Sequence, residues 1–221
     1  MNFQVQFINN KKPPVNIGKI ICVGRNYLEH VRELDNEIPA DPVYFMKPAS
    51  AISHLNSECE IPGHLGKVSY ECELALLINQ PLSMAKPEQA LDAIGAYGLA
   101  LDLTLRDLQS ELKQKGLPWE KAKSFDNSCQ LTDFIWDEKA VHQHHQFKFY
   151  IDNSCVQVGD THKMIRTIPE LIADMSHWFK LLPGDIILTG TPSGVGLLNE
   201  CVTLSFELDR QTICESRVVI R

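Results

Sequence analysis

The stretch that most limits how this chain can fold is Val68-Ser69-Tyr70-Glu71-Cys72-Glu73-Leu74-Ala75-Leu76-Leu77-Ile78. It is rich in apolar residues and runs into Asn79-Gln80-Pro81, so it reads as a buried strand. Side chains on a strand alternate between faces. Val68, Tyr70, Cys72, Leu74 and Leu76 therefore share one face, and Ser69, Glu71, Glu73, Ala75 and Leu77 the other. Two carboxylates then stand side by side, about 7 Å apart at the backbone. Such a pair ordinarily marks a solvated sheet edge. If it is buried, the two like charges are costly unless something offsets them. A hard divalent cation does so, because carboxylate oxygens are its preferred ligands.

Tyr97 to Leu105 reads as a second buried strand with one acid in it, Asp102. Gly98, Ala100 and Thr104 share the face of Asp102, and such small neighbours leave room in front of a carboxylate. Asp102 ending the strand in a turn is the alternative. Upstream, Lys19 to Val23 reads as a strand ending at Gly24, and Tyr27 to Asp35 as a helix. Its apolar stripe is Tyr27, Val31 and Leu34, and beside it lies a row of Asn26, His30 and Glu33. A His/Glu pair three apart on a helix is ordinarily a weak exposed ion pair. Here the row borders the apolar stripe, which favours partial burial.

Val43 to Lys47 reads as a short strand closed by Pro48, and Pro87 to Ala93 as a short helix. Arg106 to Lys115 looks helical, with Leu108 and Leu112 inward and Arg106 and Gln109 together on another face. Trp119 to Asp126 reads as a polar loop, where lysines are ordinarily solvated. His142-x-His144-His145 is assigned to an exposed loop, since no nearby Cys or acidic pair completes a metal-ligand set at the usual spacing. Gln146 to Ile151 and Cys155 to Val158 form a hairpin. Ile168 to Leu182 reads as an amphipathic helix. The strand Ile186-Ile187-Leu188 then leads into Thr189-Gly190-Thr191-Pro192-Ser193-Gly194-Val195-Gly196, a tight loop whose backbone can approach an anion closely. Two strands, Val202 to Leu208 and Ile213 to Ile220, close the chain.

Composition removes several classes of function. A net charge of −7 without any Lys/Arg block argues against nucleic acid. No apolar run is long enough to span a membrane. The first residues alternate like a strand and do not resemble a signal peptide. The seven cysteines are an odd number, lack a C-x-x-C pair and sit among apolar residues. Reduced, buried thiols in a cytoplasmic protein fit them better than a disulfide framework or a zinc site. With no repeat or linker in 221 residues, the chain reads as one domain, 1–221, in which 1–16 form a short N-terminal strand and loop.

Taken in order, these pieces resemble the fumarylacetoacetate hydrolase family, in its single-domain acylpyruvase and oxaloacetate decarboxylase branch. They are Gly24-Arg25-Asn26-Tyr27 with His30-Val31-Arg32-Glu33, Phe45-Met46-Lys47-Pro48, Tyr70-Glu71-Cys72-Glu73-Leu74, Asp102 to Gln109, Lys121 to Asp126 and Thr189 to Gly196. The resemblance runs from about Ile17 to the C-terminus. It implies an α+β fold, a β-rich mixed-sheet roll of the family's C-terminal-domain type, usually a homodimer. It also implies Glu71, Glu73 and Asp102 as ligands of Mg²⁺, with Mn²⁺ or Ca²⁺ as substitutes. His30, Glu33 and Lys123 would be catalytic. Arg25, Asn26, Tyr27, Lys47, Arg106, Gln109, Gly190 and Thr191 would surround a 2-oxo acid.

The activity expected from this resemblance is hydrolysis of the C–C bond of acylpyruvates through a metal-stabilised enolate. Glu33 would orient His30, which activates water, and Lys123 would offer its charge to a developing oxyanion. Oxaloacetate decarboxylation or tautomerisation, and isomerisation of an unsaturated 2-oxo diacid, are alternatives on the same residues. An inactive metal-binding module is the alternative of another class.

Overall fold

A computed structural model describes residues 3–8, 12, 15–56, 58–137 and 144–221. The fold is mixed α+β and strand-rich, built on a curled mixed sheet. Its strand order is Val43–Pro48, Lys19–Gly24, Ile186–Leu188, Cys72–Ile78, Ile94–Asp102, Cys129–Leu131 and Ile52–His54, and Ile135–Trp136 also pairs with Ile94–Asp102. A second sheet runs Ser154–Asp160, Gln146–Ile151, Thr203–Leu208, Gln211–Ile220 and Glu58–Ile61.

The alternation expected for the central strand sorts the core into two layers. Cys72, Leu74 and Leu76, with Tyr97, Leu99 and Leu101 of the neighbouring strand, pack beneath the second sheet. That sheet contributes Phe147, Phe149 and Phe206, and the helix Ile168–Trp178 contributes Leu171, Ile172 and Met175. Ala75, Leu77, Ala96 and Ala100 face the other way, against Val5, Phe7, Ile20 and Phe134. Glu71, Glu73 and Asp102 belong to this second set by strand parity, at the end of the strands where the apolar layer stops.

The central stretch is not one continuous strand. Ser69–Tyr70 pairs with Gly196–Leu197, and the main-sheet strand begins at Cys72. The break falls at Glu71, because the Cys72 N–H leaves the ladder and donates to Gln157 Oε1 at 2.9 Å. The backbone of Glu71 still accepts from the Asp102 N–H at 2.8 Å, which holds the two acids opposite each other.

Three further expectations are corrected. The long helix ends at Trp178, after which Phe179 is extended and lies edge-on against Tyr44. The loop at Trp119 contains a helical turn, Glu120–Lys123, whose last residue is buried. The expectation for His142 falls outside the described residues, but His145 is buried and bonded through Nδ1 to Asp209 at 2.7 Å. All seven cysteine thiols are unpaired, but Cys155 and Cys201 are exposed and Cys214 is half-buried, so the expected burial holds for the other four. Among the described residues, no helix is long and apolar enough to cross a membrane.

Candidate metal centre

Glu71, Glu73 and Asp102 converge at the end of the central strand pair. Each is buried, and one carboxylate oxygen from each lies within 4.8 Å of the others. Register explains the convergence: Glu73 pairs with Ala100 and Glu71 lies opposite Asp102, so all three reach one point. Two lysines and an arginine answer this charge. Lys123 donates from Nζ to Glu71 Oε2, Asp102 Oδ2 and Thr104 Oγ1, each at 2.7 Å. Lys47 pairs with the other oxygen of Asp102 at 2.9 Å, and Arg106 pairs with Glu71.

Glu73 has no cationic side chain paired with it among the described residues, and its Oε2 accepts the Gly190 N–H at 2.7 Å. Gly190 has φ +97, and a Cβ there would stand 2.8 Å from the Asn26 Cβ. Only glycine therefore brings this backbone N–H onto Glu73 without strain. Burial, Asp102 and Glu71 together push the Glu73 carboxyl well above the usual carboxylate range. Glu71 differs. Burial opposes its ionisation too, but Lys123, Arg106 and His30 outweigh that and hold it well below the range. Burial works against the charge on Lys123 as well, and Asp102 and Glu71 outweigh it, so its ammonium is held more firmly than usual. Three buried carboxylates, one lacking a cationic partner and all offering oxygen, make a donor set that fits a hard divalent cation.

The carboxylates form the floor of a cleft. His30, Arg25, Arg106, Gln109, Lys123 and Thr191 line it with Val23, Val43, Phe45 and Trp119. His30 is held by a 3.1 Å contact from Nδ1 to Glu33 Oε2. The other Glu33 oxygen accepts the Gly194 N–H at 2.9 Å, which ties the His30 helix to the glycine loop. A carboxylate only accepts, so the His30 proton sits on Nδ1 and Nε2 is the basic nitrogen. The Arg106 guanidinium also donates to Gln109 Oε1 at 2.9 Å.

The structure does not bring every expected residue to the cleft. Lys47 is fully buried behind Asp102, with Nζ also bonded to the carbonyls of Lys123 and Ser128. Asn26 and Tyr27 are buried too. The Asn26 amide donates to the carbonyls of Arg166 and Thr189, bracing the start of the helix against the loop. The Thr191 hydroxyl donates to the Cys72 carbonyl and accepts from Gln157, so its proton is already committed.

Lys113 is the charged cleft residue that the sequence reading missed. It stands one further turn along the helix Arg106–Gln114, so Arg106, Gln109 and Lys113 form one row at helical spacing. That row was the signal available. Burial and the nearby Arg25, Arg106 and Lys123 lower the Lys113 pKa. Neither Arg25 nor Lys113 has an ion-pair partner among the described residues, although Lys113 lies over the Trp119 ring.

The cleft thus joins a floor of buried carboxylates, whose oxygens fit a hard divalent cation, to a wall of cationic side chains suited to an anion. The family model described as fumarylacetoacetate (FAA) hydrolase C-terminal matches residues 19–219. An oxaloacetate tautomerase of Escherichia coli (strain K12) is 43% identical over 199 residues, 89% of this chain and 91% of that one. A mitochondrial oxaloacetate tautomerase of Bos taurus is 41% identical over 183 residues, 82% of each chain. The crystal structure of a fumarylpyruvate hydrolase from Pseudomonas aeruginosa, in complex with Mn²⁺ and pyruvate, is 29% identical and matches with a TM-score of 0.92. That match covers 100% of this chain and 97% of the other. The chain belongs to the fumarylacetoacetate hydrolase family, and these relatives are named as enzymes.

Glu73→Gln should largely remove the rise in melting temperature that Mg²⁺ or Mn²⁺ gives the wild type, because a ligand of the folded state alone stabilises by mass action. The wild-type rise should itself grow as the pH is raised above the usual carboxylate range. Metal-free Glu73 retains its proton well above the usual range, and a cation must displace it. The metal-free protein thus carries one proton more than the metal-bound form, and raising the pH favours binding. Thermal melts of both proteins at rising pH test the assignment, and an unchanged metal response in the variant would reject Glu73 as a ligand.

Proposed function

We propose that this chain is a metal-dependent tautomerase of oxaloacetate or a closely similar 2-oxo diacid. The supporting observation is the cationic wall. Arg25 and Lys113, unpaired among the described residues, face a floor already supplied with Lys123 and Arg106. A simple acylpyruvate such as acetylpyruvate carries one carboxylate, whereas a 2-oxo diacid carries two and answers both the floor and the wall. The names of the two tautomerase relatives agree with this reading. It replaces the hydrolysis expected from the sequence as the leading activity.

Glu71, Glu73 and Asp102 would hold Mg²⁺, or Mn²⁺ or Ca²⁺ in its place. When bound, the cation supplies electrophilic stabilisation of the negative charge that develops on the substrate's keto oxygen. His30 Nε2 takes a proton from C3 of the keto form. The C–H electron pair becomes the C2–C3 double bond, and the C2 oxygen gains the charge and then a proton. Glu33 stabilises the imidazolium formed in between. Lys123 keeps positive charge beside the reacting oxygen, while Arg25, Arg106 and Lys113 hold the carboxylates and Gln109 braces Arg106. Asn26, Tyr27, Lys47 and Gly190 act behind these groups, positioning the helix, the carboxylates and the loop, while Thr191 lines the cleft with its hydroxyl proton committed to the Cys72 carbonyl.

Hydrolysis of an acylpyruvate remains the second reading, because the His30–Glu33 pair would equally activate water and a fumarylpyruvate hydrolase shares the fold. We place the protein as a homodimer in the cytoplasm, in line with its unpaired thiols. Purified protein should convert enol-oxaloacetate to the keto form with Mg²⁺ and lose that activity in EDTA. Acetylpyruvate cleavage without any acceleration of tautomerisation would reverse the order of the two readings.

A further inference from the structure

His144 and His162 form a second cluster, away from the carboxylate floor. The hairpin register pairs Gln146 with Asp160 and, carried two residues further, sets His144 opposite His162. The Thr161 N–H bonds to the His145 carbonyl at 3.0 Å, which continues the pairing past the last ladder residue. His162 lies in the short 3₁₀ turn Thr161–Lys163, where Asp160 Oδ1 accepts the His162 N–H at 2.9 Å, and this turn lays its ring against His144 while His145 turns inward against Tyr97. The two imidazoles stack with centroids 3.9 Å apart and planes 7° apart. His144 Nε2 lies 2.5 Å from Asp160 Oδ1. One ligand atom from each residue falls within 4.8 Å of the others.

We propose that His144, Asp160 and His162 form a second metal site, which takes a borderline divalent cation of the Zn²⁺ type. Two imidazole nitrogens and one carboxylate oxygen are the ligands such a cation prefers, whereas Mg²⁺ and Ca²⁺ prefer oxygen alone. At bond lengths of about 2.0–2.2 Å, tetrahedral ligand atoms stand roughly 3.4 Å apart. To meet one cation along their in-plane lone pairs the two rings must turn out of their stack, which their exposure allows. Three protein ligands leave a position for water, so the site is a surface clamp rather than a closed structural one. It fastens the end of the hairpin to the segment that leads to Met164. Met164 bridges to Tyr27, where the His30 helix begins, and the Ile165 N–H bonds to the Asn26 carbonyl at 2.8 Å.

Zn²⁺ itself is the probe, added to the full chain with Mg²⁺ in large excess, and histidine ring nitrogens are followed by ¹⁵N NMR. One equivalent should shift the ring nitrogens of His144 and His162 and leave those of exposed His177 in place. In calorimetric titrations, His144→Ala and His162→Ala should each weaken this binding by tenfold or more, and His177→Ala should not. Both variants should keep the Mg²⁺-dependent rise in melting temperature, which shows that they fold and that the carboxylate centre is intact. Unmoved His144 and His162 nitrogens, or wild-type Zn²⁺ affinity in both alanine variants, would overturn the proposal. Because neither readout uses turnover, the outcome is independent of the activity proposed for the cleft.

Discussion

Lys123→Ala should lower the stability of the metal-free protein by about 3–5 kcal/mol, the usual scale for breaking a buried ion pair from one side. Lys123 is 3% exposed, and its ammonium is shared by Glu71 and Asp102, themselves 6% and 0% exposed. Removing it leaves two buried carboxylates to repel each other, with Lys47 and Arg106 as the remaining compensation. Read as a solvated residue of a polar loop, Lys123 would be expected to matter little for folding. The structure reverses that expectation. Urea unfolding in EDTA and in saturating Mg²⁺ measures the effect. The deficit should shrink in Mg²⁺, because a cation among the three carboxylates takes over part of the compensation. A loss below about 1 kcal/mol in EDTA would put the group in the class of solvent-screened surface pairs.

The misjudgement of Lys123 shows where sequence reading stops. Parity along the central strand was legible because burial forces strict alternation, so the shared face of Glu71 and Glu73 could be read directly. The break at Glu71 was not legible, since it depends on Gln157, a side chain 85 positions from the Cys72 N–H it accepts. Lys123 looked exposed because its neighbours are polar, and the acids that bury it lie on other elements. His144 and His162 are 18 apart, so no ligand spacing was present to notice until the hairpin set them opposite one another. Lys47 and Asn26 belong to recurring motif pieces, yet their polar groups turn out to brace the backbone and Asp102 rather than line the cleft. Motif membership marked the right neighbourhood without separating groups that face the cleft from groups that hold it in shape.

Glu33→Gln should slow oxaloacetate tautomerisation by roughly a hundredfold or more, the scale of general acid–base catalysis. The geometry says why an isosteric change would cost so much. Glu33 accepts on both oxygens, from the Gly194 N–H and from His30 Nδ1. Gly194 sits at φ +98 with its backbone against Val156, so it cannot easily move away. In the glutamine variant the amide oxygen keeps the Gly194 bond, and the NH₂ group then faces His30 Nδ1. That nitrogen must become the acceptor, which moves the proton to Nε2 and removes the base from the cleft. The imidazolium also loses its counter-charge. Decarboxylation of oxaloacetate needs no proton taken from C3, so it should fall clearly less than tautomerisation in the same preparation. Mg²⁺ affinity, set by Glu71, Glu73 and Asp102, should persist in a calorimetric titration. The ¹⁵N shifts of His30 should report the tautomer change directly. Wild-type tautomerisation with the proton on Nε2 would remove His30 from the reaction. An equal fall in tautomerisation and decarboxylation, with metal still bound, would instead assign the pair to a step the two reactions share, protonation of the enolate.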